Sequence, residues 1–206
     1  MAKKKSTKSW LKAHTSDKYV KLSKKEDLKS RAAFKLKQIN EKYKLLKEGS
    51  SVIDLGAAPG GWSQIAERIV KDSGLVIAID ILDISITPKV NVIKGDILSD
   101  QVRERTEEIL RDHNISKVNL VMSDMAPNLT GIASTDSARG YELNKMALTY
   151  AGQYLKKGGG FIAKLFRNDY FDDFVKETKK VFKTTAIYKP DASRQKSSEI
   201  YLIAKL

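Results

Sequence analysis

Several stretches of the chain end in residue types that can do chemistry. The apolar run Ser51 to Leu55 carries Asp54 and leads directly into Gly56-Ala-Ala-Pro-Gly60-Gly61. Small residues there let the backbone turn tightly and come close to a ligand. Asp80 closes the run Leu75-Val-Ile-Ala-Ile, where an acid can accept both hydroxyls of a ribose. Asp124 follows another apolar run, in Ser123-Asp-Met-Ala-Pro127. Lys164 is the only charge between Gly158 and Phe166, and a lysine inside a buried strand is costly unless paired or close to a site. Glu199 opens the last apolar run.

The glycine turn departs from the Gly-x-Gly-x-x-Gly pattern, because Pro59 removes an amide where a pyrophosphate cradle would use one. It also lacks the Lys-Ser/Thr ending of a triphosphate loop. A nucleoside without phosphates is the better guest. Adenosine joined to methionine meets that description, with Asp80 as the ribose contact.

These residues need a parallel sheet to bring them together. After Gly49, short apolar runs alternate with longer amphipathic ones, the pattern of repeated βα units. Strands are expected near 51–55, 75–80, 90–94, 118–123, 160–166, 184–188 and 199–205, and helices over 62–71, 101–113, 139–155 and 169–182. The Pro190-Asp-Ala-Ser-Arg194 loop is too short for a parallel crossover, so the last two strands form an antiparallel pair. Glu199 then lies at the same sheet edge as Asp124 and Lys164. Ahead of the sheet, Leu36, Ile39, Tyr43 and Leu46 form one stripe of a helix beginning near Ser30, with Lys35 at its edge. In such a sheet, ligands bind beyond the carboxyl ends of the strands.

Of the net charge of +13, +12 lies in the first 47 residues, where 16 Lys/Arg face four acids; the remainder is nearly balanced, 22 against 21. Such a segment suits a polyanion, with Trp10, Tyr19 and Phe34 as candidate stacking groups. A solvated basic face is the plainer alternative. Residues 1–29 are read as a basic RNA-binding extension, its first residues mobile until bound, and 30–206 as one α/β domain. The absence of cysteine excludes disulfides and thiolate metal sites, and His14 and His113 are too few ligands to suggest a zinc site; no metal is expected. No apolar run approaches a membrane span, so a cytoplasmic protein is expected, and nothing requires more than a monomer.

Together, Asp54-Leu-Gly-Ala-Ala-Pro-Gly-Gly-Trp-Ser63, Ser123-Asp-Met-Ala-Pro-Asn128, Ser30-Arg-Ala-Ala-Phe-Lys-Leu36 and Pro190-Asp-Ala-Ser-Arg194 closely resemble the FtsJ/RrmJ (RlmE) family of ribosomal RNA ribose 2′-O-methyltransferases. The resemblance runs from Trp10-Leu to Glu199-Ile-Tyr. It implies a Rossmann-like S-adenosylmethionine-dependent methyltransferase fold, a mostly parallel seven-stranded sheet with a terminal antiparallel strand and helices on both faces. It also implies a catalytic tetrad, which falls on Lys35, Asp124, Lys164 and Glu199. Cofactor contacts carry over to Asp54, Gly56, Gly60, Trp62, Asp80 and Asp96, with Asp124 close to the methyl donor. The implied substrate is a ribose, a uridine's, in 23S RNA of the large ribosomal subunit. One departure, Ile81-Leu-Asp-Ile-Ser-Ile86 where Leu-x-Pro is more usual, touches a loop near the adenine.

A ribose hydroxyl is a weak nucleophile, so a base should take its proton as it attacks the methyl group in line. Lys164 is the expected base, with Asp124 and Glu199 orienting the lysines. Ribose methylation of tRNA or of a cap, and a non-catalytic RNA-binding assembly factor, are the competing readings. A base-amino methyltransferase fits less well, since Asp124-Met-Ala-Pro127 offers no stacking ring.

Overall fold

The structure, a computed structural model, describes residues 17–206. Trp10 and His14, and the expectation of mobility at the start of the chain, lie outside the described residues. Among the described residues, seven strands form one sheet: β1 (Ser51–Leu55), β2 (Leu75–Asp80), β3 (Asn91–Lys94), β4 (Val118–Ser123), β5 (Leu155–Phe166), β6 (Thr184–Tyr188) and β7 (Glu199–Lys205). Their order is β3-β2-β1-β4-β5-β7-β6. The first five are parallel, and β7 runs antiparallel to both β5 and β6. The order reverses between β1 and β4, which opens a crevice at the carboxyl ends of those two strands.

Alternation along each strand divides the core in two. Val52, Leu120, Met122 and Ile162 face the layer of α1 (Lys18–Lys25), α2 (Ala33–Tyr43) and α3 (Gly61–Val70). Ile53, Val121, Phe161 and Leu202 face α4 (Asp100–Asp112), α5 (Ala133–Tyr154) and α6 (Phe171–Val181). This is the expected α/β, Rossmann-like architecture. Helix ends follow their side chains. Asp17 caps α1 by accepting from the Tyr19 amide at 2.9 Å, Ser99 caps α4 through the Val102 amide, and α6 has Asp172 and Asp173 in its first turn and Lys179 and Lys180 in its last. His113 caps the end of α4, its ring Nδ1 2.8 Å from the Ile109 carbonyl.

Four expectations are corrected. The β5 strand begins at Leu155 rather than Gly160, because Val118 pairs with Leu155 before a register shift, so the glycines sit within the strand. Helix α5 begins at Ala133, six residues before Arg139, because Asp136 in its first turn satisfies the entering loop. Leu46 is buried but not on α2, which ends at Lys44 in the left-handed region; the Asn40 side chain bonds both the amide and the carbonyl of Leu46 and folds it back. Tyr19 and Phe34, expected as stacking groups, are buried against each other with ring centroids 5.4 Å apart.

Residues 17–29 are packed onto α2 and α3, through the Tyr19 and Phe34 rings and through Gln64, which accepts from the Lys29 amide and donates to the Asp27 carbonyl. Tyr19, Val20 and Leu28 are buried, while Lys18, Lys21, Lys24 and Lys25 of α1 face solvent. Among the described residues, no helix is long and apolar enough to cross a membrane, and no group of His, Cys, Asp and Glu is placed to hold a metal ion.

Candidate active site

The turn after β1 is pinned to the end of β2, because the amides of Gly56 and Ala57 both donate to the Ile79 carbonyl, at 2.9 and 3.2 Å. Two positions in it require glycine. Gly56 has φ +72°, and a Cβ there would lie 2.5 Å from Met125 Cγ. Gly60 has φ +105°, and its Cβ would press at 3.3 Å on Ile84 and Ile86, residues of the loop that departs from the family pattern. Beside the turn, Asp80 accepts from the Ala58 amide at 2.8 Å and the Leu82 amide at 2.9 Å, one bond to each oxygen. Each oxygen keeps a further lone pair, enough for two ribose hydroxyls.

A cleft of about 440 Å³ runs from Gly56 and Asp80 past Asp96 to Asp124. Ile81, Leu82 and Leu98 line it, each more than half exposed. The volume and the few polar groups among apolar walls are those of a small-molecule site. Asp96 is exposed, its side chain holding the Leu98 amide at 2.9 Å. Two of the expected cofactor contacts sit differently. The Trp62 side chain is turned into the core, its Nε1 donating to the Ala32 carbonyl at 2.8 Å and its ring 5.6 Å from that of Tyr201. Asp54 is fully buried behind the turn, with Oδ2 accepting from the Ser63 hydroxyl at 2.6 Å and Oδ1 without a partner. Burial raises the Asp54 pKa to about 8; the Asp124 and Asp80 charges add to the rise and the Ser63 hydrogen bond opposes it.

The four residues of the expected tetrad come together at the carboxyl edge of the sheet. Lys35, on α2, places Nζ 2.7 Å from Oε1 and 2.8 Å from Oε2 of Glu199, and both side chains are nearly buried. Lys164, on β5, places Nζ 3.3 Å from Asp124 Oδ1 and also donates to the Asp124 carbonyl. Lys164 is itself buried, and Asp124 is the member that lines the cleft. Burial works to raise the Glu199 pKa, but Lys35, Ser193 and Lys164 outweigh it and hold the carboxyl below its ordinary value.

Sequence reasoning missed Tyr201. This residue is fully buried, pairs with Lys164 across β5 and β7, and donates its hydroxyl to Asp124 Oδ1 at 2.9 Å. The Lys35 ammonium lies 5.6 Å from its ring centroid, so the tyrosine joins the two ion pairs. Burial first, then the Asp124 and Glu199 charges, push its hydroxyl pKa well above the ordinary value. Ser193 was missed too, and donates to Glu199 Oε1 at 2.8 Å. Its loop is held by Arg31, which donates to the Ala192 carbonyl, and by Gln38, which accepts from the Ala192 amide. The Ser30–Leu36 and Pro190–Arg194 motifs thus form one support under Lys35 and Glu199.

Comparison with known proteins decides the family. The model for the FtsJ-like methyltransferase matches residues 28–206. The chain belongs to this family. It is 44% identical to the Ribosomal RNA large subunit methyltransferase E of Dechloromonas aromatica, over 100% of this chain and 98% of that protein. It is 43% identical to the protein of the same name from Pseudomonas aeruginosa, with the same coverage. Among solved structures, a Plasmodium falciparum chain provisionally named a ribosomal RNA methyltransferase superposes with a TM-score of 0.75 at 30% identity, over 86% of this chain and 97% of that one. As in its family, this chain is a methyltransferase with S-adenosylmethionine as cofactor. The residues present fit that molecule: a glycine cradle a Cβ would fill, a carboxylate with free lone pairs for the ribose, and exposed aliphatic side chains for the adenine.

Proposed function

We propose that the chain methylates the 2′-hydroxyl of a ribose, a uridine's, in 23S RNA of the large ribosomal subunit, with Lys164 as general base. The observation that carries this is the Lys164–Asp124 pair at the cleft end, linked through Tyr201 to the Lys35–Glu199 pair. The names of the relatives support the substrate, as do the lysines that α1 presents to solvent. Residues 1–29 serve as the RNA-binding extension of a monomeric cytoplasmic enzyme.

When bound, the cofactor supplies a methyl group made electrophilic by its sulfonium. Acting in its uncharged form, Lys164 Nζ takes the hydroxyl proton as the carbon–oxygen bond forms; the methyl–sulfur bond would break in the same step, its electron pair staying on sulfur as a neutral thioether. The Asp124 carbonyl and carboxylate aim that nitrogen, and Tyr201 fixes the carboxylate in turn. Lys35, clamped by both oxygens of Glu199, adds positive charge where the oxygen becomes more negative.

Incubation with labelled S-adenosylmethionine and, in parallel, large ribosomal subunits, naked ribosomal RNA and tRNA tests this reading. Label should enter large-subunit RNA, as subunit or naked. Transfer to tRNA alone would redirect the substrate, and transfer to none would favour an assembly factor without catalysis.

A further inference from the structure

Among the described residues, five large apolar side chains are more than half exposed: Ile81, Leu82, Leu98, Leu129 and Ile132. The first three line the cofactor cleft, where the adenosine of the cofactor would cover them. Leu129 and Ile132, 77% and 61% exposed, stand instead on the loop between Asp124 and α5. Asp136 pins this loop. Its Oδ1 accepts from the amide and hydroxyl of Thr130, both at 2.7 Å, and its Oδ2 from the Gly131 amide at 3.1 Å. At the other end, Asn128 lines the cleft and its carbonyl accepts from Arg139. Two apolar tips are therefore held on a hydrogen-bonded turn at the mouth of the site, with exposed Arg139 beside them.

We infer that Leu129 and Ile132 form a wedge that packs against unstacked bases of the RNA and holds the target nucleotide out of its stack. The inference rests on the RNA-methylating reading. Lys164 is 8% exposed, so its Nζ is recessed, whereas the 2′-hydroxyls of a stacked helix lie flush along a shallow minor groove. The nucleotide has to leave the stack first, and an apolar side chain in the gap offsets the lost stacking. Arg139 supplies positive charge for the phosphates on either side.

The test compares wild type, Leu129→Ala/Ile132→Ala and the volume-keeping Leu129→Met/Ile132→Leu. The readouts are kcat/KM on folded large-subunit RNA and S-adenosylmethionine affinity by calorimetry. The alanine pair should lose about tenfold or more in kcat/KM, the scale of a lost base contact, with cofactor affinity unchanged. The volume-keeping pair should retain wild-type turnover. Full activity of the alanine pair overturns the wedge. A parallel loss of cofactor affinity makes the loop a cofactor lid instead, and an equal loss in the volume-keeping pair shows a structural role. If wild type itself transfers no methyl to this RNA, the functional reading falls first and the wedge with it.

Discussion

The Tyr201 hydroxyl donates to Asp124 Oδ1 at 2.9 Å, from a side chain with no solvent exposure. That bond fixes the carboxylate that in turn aims Lys164. Tyr201→Phe keeps the ring, its packing on Trp62 and the strand, and removes only the bond. Turnover should fall about tenfold to a hundredfold, as for a lost hydrogen bond to a charged group. S-adenosylmethionine affinity should not change. Steady-state kinetics with calorimetric cofactor binding check both halves.

Asp80 and Lys164 should separate binding from chemistry. Asp80 lines the cleft and Lys164 does not. Asp80→Ala should weaken S-adenosylmethionine by about tenfold or more, whereas Lys164→Ala should leave its dissociation constant within about twofold. Titration calorimetry on the two variants reads this directly.

Glu199 contributes to stability through Lys35, and the contribution depends on pH. Its folded pKa is held below the ordinary value of 4.5. A depressed carboxyl stabilises the fold above its unfolded pKa and ceases to do so as pH falls through the folded value. Glu199→Gln leaves the Lys35 ammonium without its carboxylate and should cost about 3 kcal/mol near neutral pH, by urea unfolding. The gap between wild type and variant should narrow below about pH 4.

Asp54 works in the opposite sense. Its pKa rises from 3.8 to about 8, so the fold binds that proton more tightly than the unfolded chain does. A raised carboxyl destabilises the protein progressively as pH climbs from the unfolded to the folded value. Asp54→Asn carries no charge to bury, so its Tm relative to wild type, without cofactor, should rise across that window. A flat difference would show that Asp54 is not protonated in the fold.

The sheet was legible because its signals are local and redundant. Short, mostly apolar runs marked β1, β2 and β4, and a short Pro-containing loop forced β6 and β7 antiparallel. Asp80, Asp124 and Lys164 were legible because a charge at the end of an apolar strand, or inside one, needs a reason to be there. Lys35 was chosen by family resemblance alone, since nothing in its own segment distinguished it from neighbouring lysines; the Glu199 clamp now does. Tyr201 looked like any aromatic residue in a buried strand, and only the facing Lys164 and Asp124 give its hydroxyl a role. Trp62 also came from the family resemblance. A resemblance assigns a residue to a site without saying where its side chain points, and here that side chain lies in the core.

The most direct test of the account is where the methyl group goes and whether Lys164 is needed to send it there. Large-subunit RNA treated with wild type or Lys164→Ala and labelled S-adenosylmethionine is digested to nucleosides and resolved by mass spectrometry. Wild type should place the label on a ribose as 2′-O-methyluridine, and Lys164→Ala should place almost none while still binding the cofactor. Label on a base, or near-normal transfer by Lys164→Ala, would contradict the account.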